Sequence, residues 1–321
     1  MLEIILPYIL IIIWFVLLIK WADFLVDGAS SLAKKLHIPD IVIWLTIVAF
    51  GTSAPELVVN VVGSLDGAND MVLGNIVGSN IANILLILGL TAGIKSLSIP
   101  KSTVWKEIPF ALLGALVLAI LINDQYFNYA SFSSLSAADG VILLCFFVIF
   151  MYYTFSIAQQ NDDNQDQIKE MSHPKSALFV LWGIIWLTFG GNLVVENAVQ
   201  LATMRWWSEK LIGLTILAIG TSLPELATSM VAVTKWQTNI AVGNIVGSNI
   251  FNVFFVLGIT ALISPVTFNP MNNTDIVMNL IVHIFLFSFL FIGKKRTLQR
   301  WQGVAFVILY VAFLVGIFWL G

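Results

Sequence analysis

Polar interruptions divide the chain into ten long apolar stretches, at about 3–33, 41–65, 70–94, 104–123, 138–157, 176–203, 211–233, 239–263, 274–293 and 301–320. Each approaches or exceeds the roughly 20 residues with which a helix crosses a bilayer, so the pattern predicts ten membrane-spanning helices. The first and sixth stretches are long and carry polar residues, and their far ends are expected to bend or to run along the interface. Ile4–Lys20 lacks a basic start and a small-residue cleavage site, and is read as part of a span rather than as a signal peptide. The one clearly hydrophilic segment, 158–175, carries Asp162, Asp163, Asp166 and Glu170. It divides the chain into a five-helix half at 1–157 and a second at 176–321.

Composition agrees with a membrane solvent. The chain is 59% hydrophobic and 10% charged, where a soluble domain has about 25% charged residues. Eleven Trp and 23 Phe suit an apolar medium and its interfacial belts. The single cysteine, Cys145, lies in an apolar run and is read as filler.

Charge sets the orientation. Links that follow odd-numbered spans contain Lys34, Lys35, Lys95, Lys101, Lys106, Lys169, Lys175, Lys235, Lys294, Lys295, Arg296 and Arg300, against only Arg205 and Lys210 on the other side. Basic residues concentrate on the cytoplasmic side of membrane proteins. The expectation is a multi-pass protein of a prokaryotic cytoplasmic (inner) membrane, with both termini outside and the 158–175 linker cytoplasmic. Outward links carry Asp66, Asp70, Asp124, Asp139, Glu209 and Asp275, which would modestly concentrate cations.

The two halves repeat each other. GTSAPE at 51–56 returns as GTSLPE at 220–225, and GNIVGSNIAN at 74–83 returns as GNIVGSNIFN at 243–252. One offset of 169 positions aligns both motifs, with 18 identities across the 40 positions of 51–90 and 220–259. Because each half holds an odd number of spans, the second enters the membrane from the opposite side. The fold class expected is therefore an all-α membrane protein of ten helices in two inverted five-helix repeats. Such repeats place a substrate site at the membrane midplane, between discontinuous helices.

Each repeat puts one acid, Glu56 or Glu225, in an apolar run. Pro55 removes a backbone donor and crowds the carbonyl of Gly51, and Pro224 does the same to Gly220. Carbonyls freed within hydrocarbon are tolerated where they line a cavity. Thr52, Ser53, Thr221 and Ser222 add hydroxyls beside the two acids. Asn75, Ser79 and Asn83 are spaced by four and share a helix face, as do Asn244, Ser248 and Asn252. Gly74, Gly78, Gly243 and Gly247 remove side chains where helices approach. Asn80 and Asn249 are read either as helix braces or as site groups.

These are hard oxygen ligands. Calcium takes six to eight of them, and two bidentate glutamates with carbonyls near Thr52 and Thr221 would provide six. Two carboxylates match one Ca2+ in charge, and sodium could use the same oxygens together with the serine hydroxyls. Magnesium suits the set less, because it keeps its waters.

Asp27 aligns with Glu196 at the same offset, and either lines the ion approach or has a structural role. Asp23 aligns with Asn192, so its charge is not repeated. His283 stands apart from the repeated motifs and is read as a packed or interfacial histidine. His37 and His173, in cytoplasmic links, suggest nothing specific. No phosphate loop, dinucleotide fingerprint or nucleophile elbow is present, so no enzyme activity, cofactor, nucleic-acid partner or ATP drive is expected. Ion gradients remain as the energy source.

At GTSxPE and GNIVGSN the chain resembles the calcium/cation antiporter superfamily, in its prokaryotic sodium/calcium exchanger branch. The resemblance extends over both halves. It implies secondary active exchange of Na+ for Ca2+ by alternating access. Glu56 and Glu225 resemble the shared calcium and sodium ligands, and Thr52 and Thr221 the residues that offer carbonyls to calcium. Ser53, Ser79, Ser222 and Ser248 resemble sodium-site residues, with carbonyls from Ala49 and Ala218. Asn83 and Asn252 match the central positions, and helices 1 and 6 the pair that slides to switch access. Asn252 stands where the potassium-dependent branch has Asp, which argues against potassium co-transport. The alternative coupling ion is H+, since a carboxylate in a dry site can carry a proton. One chain holds both halves of the site, so a functional monomer with no obligatory protein partner is expected.

Overall fold

The computed structural model describes residues 2–127, 129–158, 171–203 and 212–320. Among these residues there are ten helical passes, at the predicted places. Pass 1 is α1 (Leu2–Leu36), and pass 2 is broken into α2 (Trp44–Thr52) and α3 (Ala54–Leu65), bent by 48°. Passes 3 to 6 are α4 (Asn69–Ile94), α5 (Thr103–Leu121), α6 (Ala137–Ala158) and α7 (His173–Thr203). Pass 7 breaks into α8 (Thr215–Thr221) and α9 (Leu223–Thr234), again bent by 48°. α10 (Thr238–Ile263), α11 (Asn273–Phe289) and α12 (Arg300–Leu320) follow.

Two expectations are corrected. α1 and α7 are single unbroken helices of 35 and 31 residues. α11 stops at Phe289, not near 293, because the chain turns over 290–296, with Gly293 at φ +79° and Arg296 at φ +54°. Its 17 residues span about 26 Å. Most of the 158–175 linker (159–170) lies outside the described residues, as do Arg205, Glu209 and Lys210.

The duplication reaches the backbone. π-helical turns at Trp44–Val48 and Ala82–Leu88 recur at Gly213–Leu217 and Phe251–Leu257, 169 positions later. The residue at each break, Ser53 or Ser222, has nearly the same conformation, with φ −84° and −85° and ψ 7° in both. A wider turn inside an α-helix leaves backbone groups off the regular ladder and commonly marks a functional site.

α4 and α10 form the centre, with 89% and 83% of their apolar windows buried, against 22–39% for the other long spans. α2–α3 and α8–α9 pack beside them. Gly247 of α10 leaves its space to Ala49 and Leu45 of α2, which brings the two backbones close. α1 and α7 lie against each other: Gly28 faces Phe179, Gly183 faces Leu25, and the Trp21 and Trp186 rings stack at 5.3 Å. α7 also passes both breaks, where Gly51 and Gly220 make room for Ile184 and Val195. The lone Cys145 is exposed on an outer helix.

Two short antiparallel pairings tie links together. β1 (Leu97–Ser98) pairs with β4 (Thr297–Leu298), and β2 (Ser133–Leu135) with β3 (Val266–Phe268). Each joins links that alternation of ten passes puts on the same side of the membrane.

Candidate cation site

The two glutamates sit where their helices restart. Pro55 and Pro224 occupy the first turn of α3 and α9, where a missing N–H costs nothing, and Glu56 and Glu225 share that turn. The carbonyl of Gly51, which Pro55 cannot reach with a donor, accepts the Thr188 hydroxyl at 3.4 Å. Both glutamates are buried, at 1% and 0% exposure.

They meet across the repeat boundary. Glu56 lies beside the Thr221 and Ser222 side chains of the second half, and Glu225 beside Thr52 of the first and Ser248. The two carboxylates act on each other electrostatically. Two carboxylates buried in a low-dielectric interior call for a cation or a proton to neutralise them.

The serines of the long central helices behave unequally. Ser248 donates to Glu225 Oε1 at 3.0 Å. Ser79 instead donates to the Ala218 carbonyl at 3.2 Å and stands 3.3 Å from the Thr221 hydroxyl. Thr221 donates to the Leu217 carbonyl, 2.9 Å away, and also lies 3.1 Å from Asn75 Oδ1. Thr52 reaches the Ala49 carbonyl at 3.4 Å. The predicted residues Ala49, Thr52, Ser53, Glu56, Ser79, Asn83, Ala218, Thr221, Ser222, Glu225, Ser248 and Asn252 are all buried.

Buried oxygens without a protein partner include Glu56 Oε2, Glu225 Oε2, Ser53 Oγ, Ser222 Oγ, Asn83 Oδ1, Asn252 Oδ1 and Asn244 Oδ1. An unsatisfied buried acceptor costs about 1–3 kcal/mol, and more when charged. Seven such atoms on the repeated motifs form a donor set that hard cations satisfy. Among the described residues no group of three or more His, Cys, Asp and Glu side chains comes together. The chemistry rests on two acids with neutral oxygens around them.

Asn80 and Asn249 accept from the central asparagines: Asn252 Nδ2 donates to Asn80 Oδ1 at 3.1 Å, and Asn83 Nδ2 to Asn249 Oδ1 at 2.9 Å. Asp23 and Asp27 of α1 hold Lys235, which follows α9, with 2.6 Å to Asp23. Both aspartates are thus engaged in an ion pair and are about half exposed. Glu196 is exposed on α7. One buried acid escapes a reading by repeats. Glu107 of α5 accepts the Tyr153 hydroxyl and is 1% exposed. Its signal is a lone acid inside an apolar run, matched at the repeat offset by Ile276.

The family model described as sodium/calcium exchanger protein matches residues 6–156 and 175–319. The putative antiporter CaxA of Alkalimonas amylolytica is 36% identical, over 95% of this chain and 96% of its own length. The inner membrane protein YrbG of Escherichia coli is 35% identical, over 97% of this chain and 96% of its own. The solved structure of the sodium-calcium exchanger NCX_Mj superposes with a TM-score of 0.81 at 30% identity, covering 97% of this chain and 98% of that one. The family match spans both halves of the chain, and the likeness to NCX_Mj extends over the inverted five-helix repeats. This chain belongs to the sodium/calcium exchanger protein family.

Proposed function

We propose that Glu56 and Glu225 are the shared cation ligands of this transporter, with Thr52, Thr221, Ser53, Ser222, Ser79, Ser248, Asn83, Asn252 and the carbonyls of Ala49 and Ala218 around them. The chain is a secondary active antiporter that exchanges Na+ for Ca2+ across the membrane by alternating access. It is not an enzyme, and its ions are substrates rather than cofactors. The observation that carries the site assignment is the set of unpartnered buried oxygens on both repeats, two of them carboxylate. That the similar NCX_Mj was soaked with Na+, Ca2+ and Sr2+ supports the same reading.

The ligand chemistry gives each half of the exchange a reason. A divalent ion neutralises both carboxylates at one position. Monovalent ions neutralise them at separate positions, where hydroxyl and carbonyl oxygens complete each shell. One set of oxygens therefore cannot serve both loads together, and competition between them couples the two fluxes. Exposing the site to one side at a time then converts a sodium gradient into calcium movement.

The basic links support an orientation with both termini outside and the 158–175 linker cytoplasmic between halves at 1–157 and 176–321, and one chain holding both halves of the site supports a functional monomer in the bilayer. The β1–β4 and β2–β3 pairings support the relative sidedness of four links.

Calcium uptake into proteoliposomes preloaded with sodium tests the reading, against potassium-loaded and proton-gradient controls. Uptake should require sodium, and Glu56→Gln and Glu225→Gln should each abolish it. Undiminished uptake in both variants would overturn the site assignment. Uptake driven by a pH gradient without sodium would replace sodium by H+ as the coupling ion.

A further inference from the structure

Behind the glutamates lies a chain of amides that ends on a histidine. His283 of α11 is 1% exposed, and its Nδ1 lies 2.8 Å from the Asn279 carbonyl one helical turn back. A carbonyl only accepts, so Nδ1 carries the proton and Nε2 of the neutral ring is an acceptor. Nε2 stands 3.3 Å from Asn249 Nδ2, which also donates to the Asn80 carbonyl at 3.3 Å. Two acceptors on one side of Asn249 hold its NH2 there. Its Oδ1 is thereby turned toward Asn83, whose Nδ2 donates to it at 2.9 Å. Asn83 spends its NH2 on this bond, and its Oδ1 is left buried without a protein partner. It lies on the helix face of Ser79, which reaches the Ala218 carbonyl.

The other half lacks the anchor. Asn80 corresponds to Asn249 and accepts from Asn252 in the same manner, at 3.1 Å. The position 169 residues before His283 is Gly114, followed by Ala115, and neither side chain can hydrogen-bond. Asn80 Nδ2 accordingly has no partner. The Asn80–Asn252 pair can turn both amides over without losing an anchoring bond, whereas the Asn249–Asn83 pair cannot.

We propose that His283 is a positioning residue of the cation site: as the terminal acceptor of the His283–Asn249–Asn83 chain, it keeps the Asn83 oxygen, not its NH2, turned to the transported cation. This rests on the reading of Asn83 as a site residue. A cation takes a lone pair from an amide oxygen and is repelled by the amide NH2, so the orientation of one side chain alters affinity without changing the composition of the site. His283 acts only as an acceptor here and needs no charge.

The test is half-saturation by Na+ and Ca2+, and maximal rate, in proteoliposomes. The variants are His283→Leu, His283→Asn, His283→Gln, Asn83→Ala and the His283→Leu/Asn83→Ala pair, with Glu56→Gln as reference. Losing one of two anchoring hydrogen bonds should raise half-saturation about three- to tenfold in His283→Leu and in the shorter His283→Asn, with maximal rate retained. Gln at 283 restores an acceptor within reach and should return half-saturation toward wild type. In the Asn83→Ala background, removal of His283 should shift nothing further. Equal impairment of the Leu, Asn and Gln variants would overturn the proposal, as would a fall in maximal rate with unchanged half-saturation, or full additivity with Asn83→Ala. If His283→Leu does not fold, His283→Asn against His283→Gln decides. Failure of the cation-site reading shows separately, as wild-type exchange by Glu56→Gln.

Discussion

Gly183→Ala tests the close approach of α1 and α7. A Cβ at Gly183 would lie 2.7 Å from Leu25 Cβ, 3.0 Å from its Cα and 3.1 Å from its backbone nitrogen. Carbon atoms rest at about 3.5–4.0 Å, so the helices would have to separate by up to roughly 1 Å. Two of the three atoms are backbone, and no rotamer change relieves them. Overpacking of this kind costs about 1–3 kcal/mol. The matched control is Gly191→Ala on the same helix. Its Cβ would meet Pro224 Cδ at 3.5 Å, Pro224 Cγ at 3.6 Å and the Gly220 carbonyl at 3.8 Å, all ordinary contacts. Both substitutions gain about 1 kcal/mol of helix propensity, so this cancels and the pair should differ by the overpacking cost alone, about 1–3 kcal/mol. Thermal unfolding midpoints in one detergent should rank Gly191→Ala above Gly183→Ala, with Gly191→Ala at or above wild type. A Gly183→Ala midpoint equal to or above that of Gly191→Ala would refute the close packing of this pair.

Lys235→Ala removes the tie from the link after α9 to Asp23 and Asp27 of α1. Because both aspartates are about half exposed, the stability lost should be at most about 1 kcal/mol and should shrink with added salt; a larger loss that ignores salt would contradict a screened ion pair. Gly67→Ala meets nothing within 4 Å but must adopt φ +76°, and should lower the unfolding midpoint by the equivalent of about 1–2 kcal/mol, whereas Gly93→Ala, equally unobstructed inside α4, should not.

What the sequence made legible was whatever occurs twice. A motif repeated at one offset identifies its own partner, so Glu56 and Glu225 could be joined before any fold was known. Prolines announced the helix breaks, and the structure places them at Ser53 and Ser222. The π turns carry no such mark, because ANILLIL and FNVFFVL read as ordinary apolar helix. The ends of α1 and α7 were misread for a related reason. Polar residues in a long apolar run look like an exit from the membrane, yet those of α1 are spent on contacts: Ser31 with Ser176 at 2.9 Å, Asp23 and Asp27 with Lys235. Glu107 and His283 were illegible as structural partners because neither recurs at the repeat offset, and Tyr153 and Asn249, which give them their roles, are distant in sequence.

Repetition also limits what the repeated residues can do. Two inverted halves of identical chemistry would offer the same path to each side of the membrane, and nothing in GTSxPE or GNIVGSN tells the sides apart. The difference must reside in residues that break the offset. Lys235 corresponds to Asp66, while Asp23 and Asp27 correspond to Asn192 and Glu196. One side therefore closes an ion pair between α1 and the link after α9, and the corresponding positions on the other side carry two acids and no base. His283 against Gly114 breaks the offset again, behind the site rather than at its mouths. The glutamates, matched in both halves, fit the task of holding a cation from either side. Unmatched residues fit the other task, making the two journeys of that cation energetically unequal.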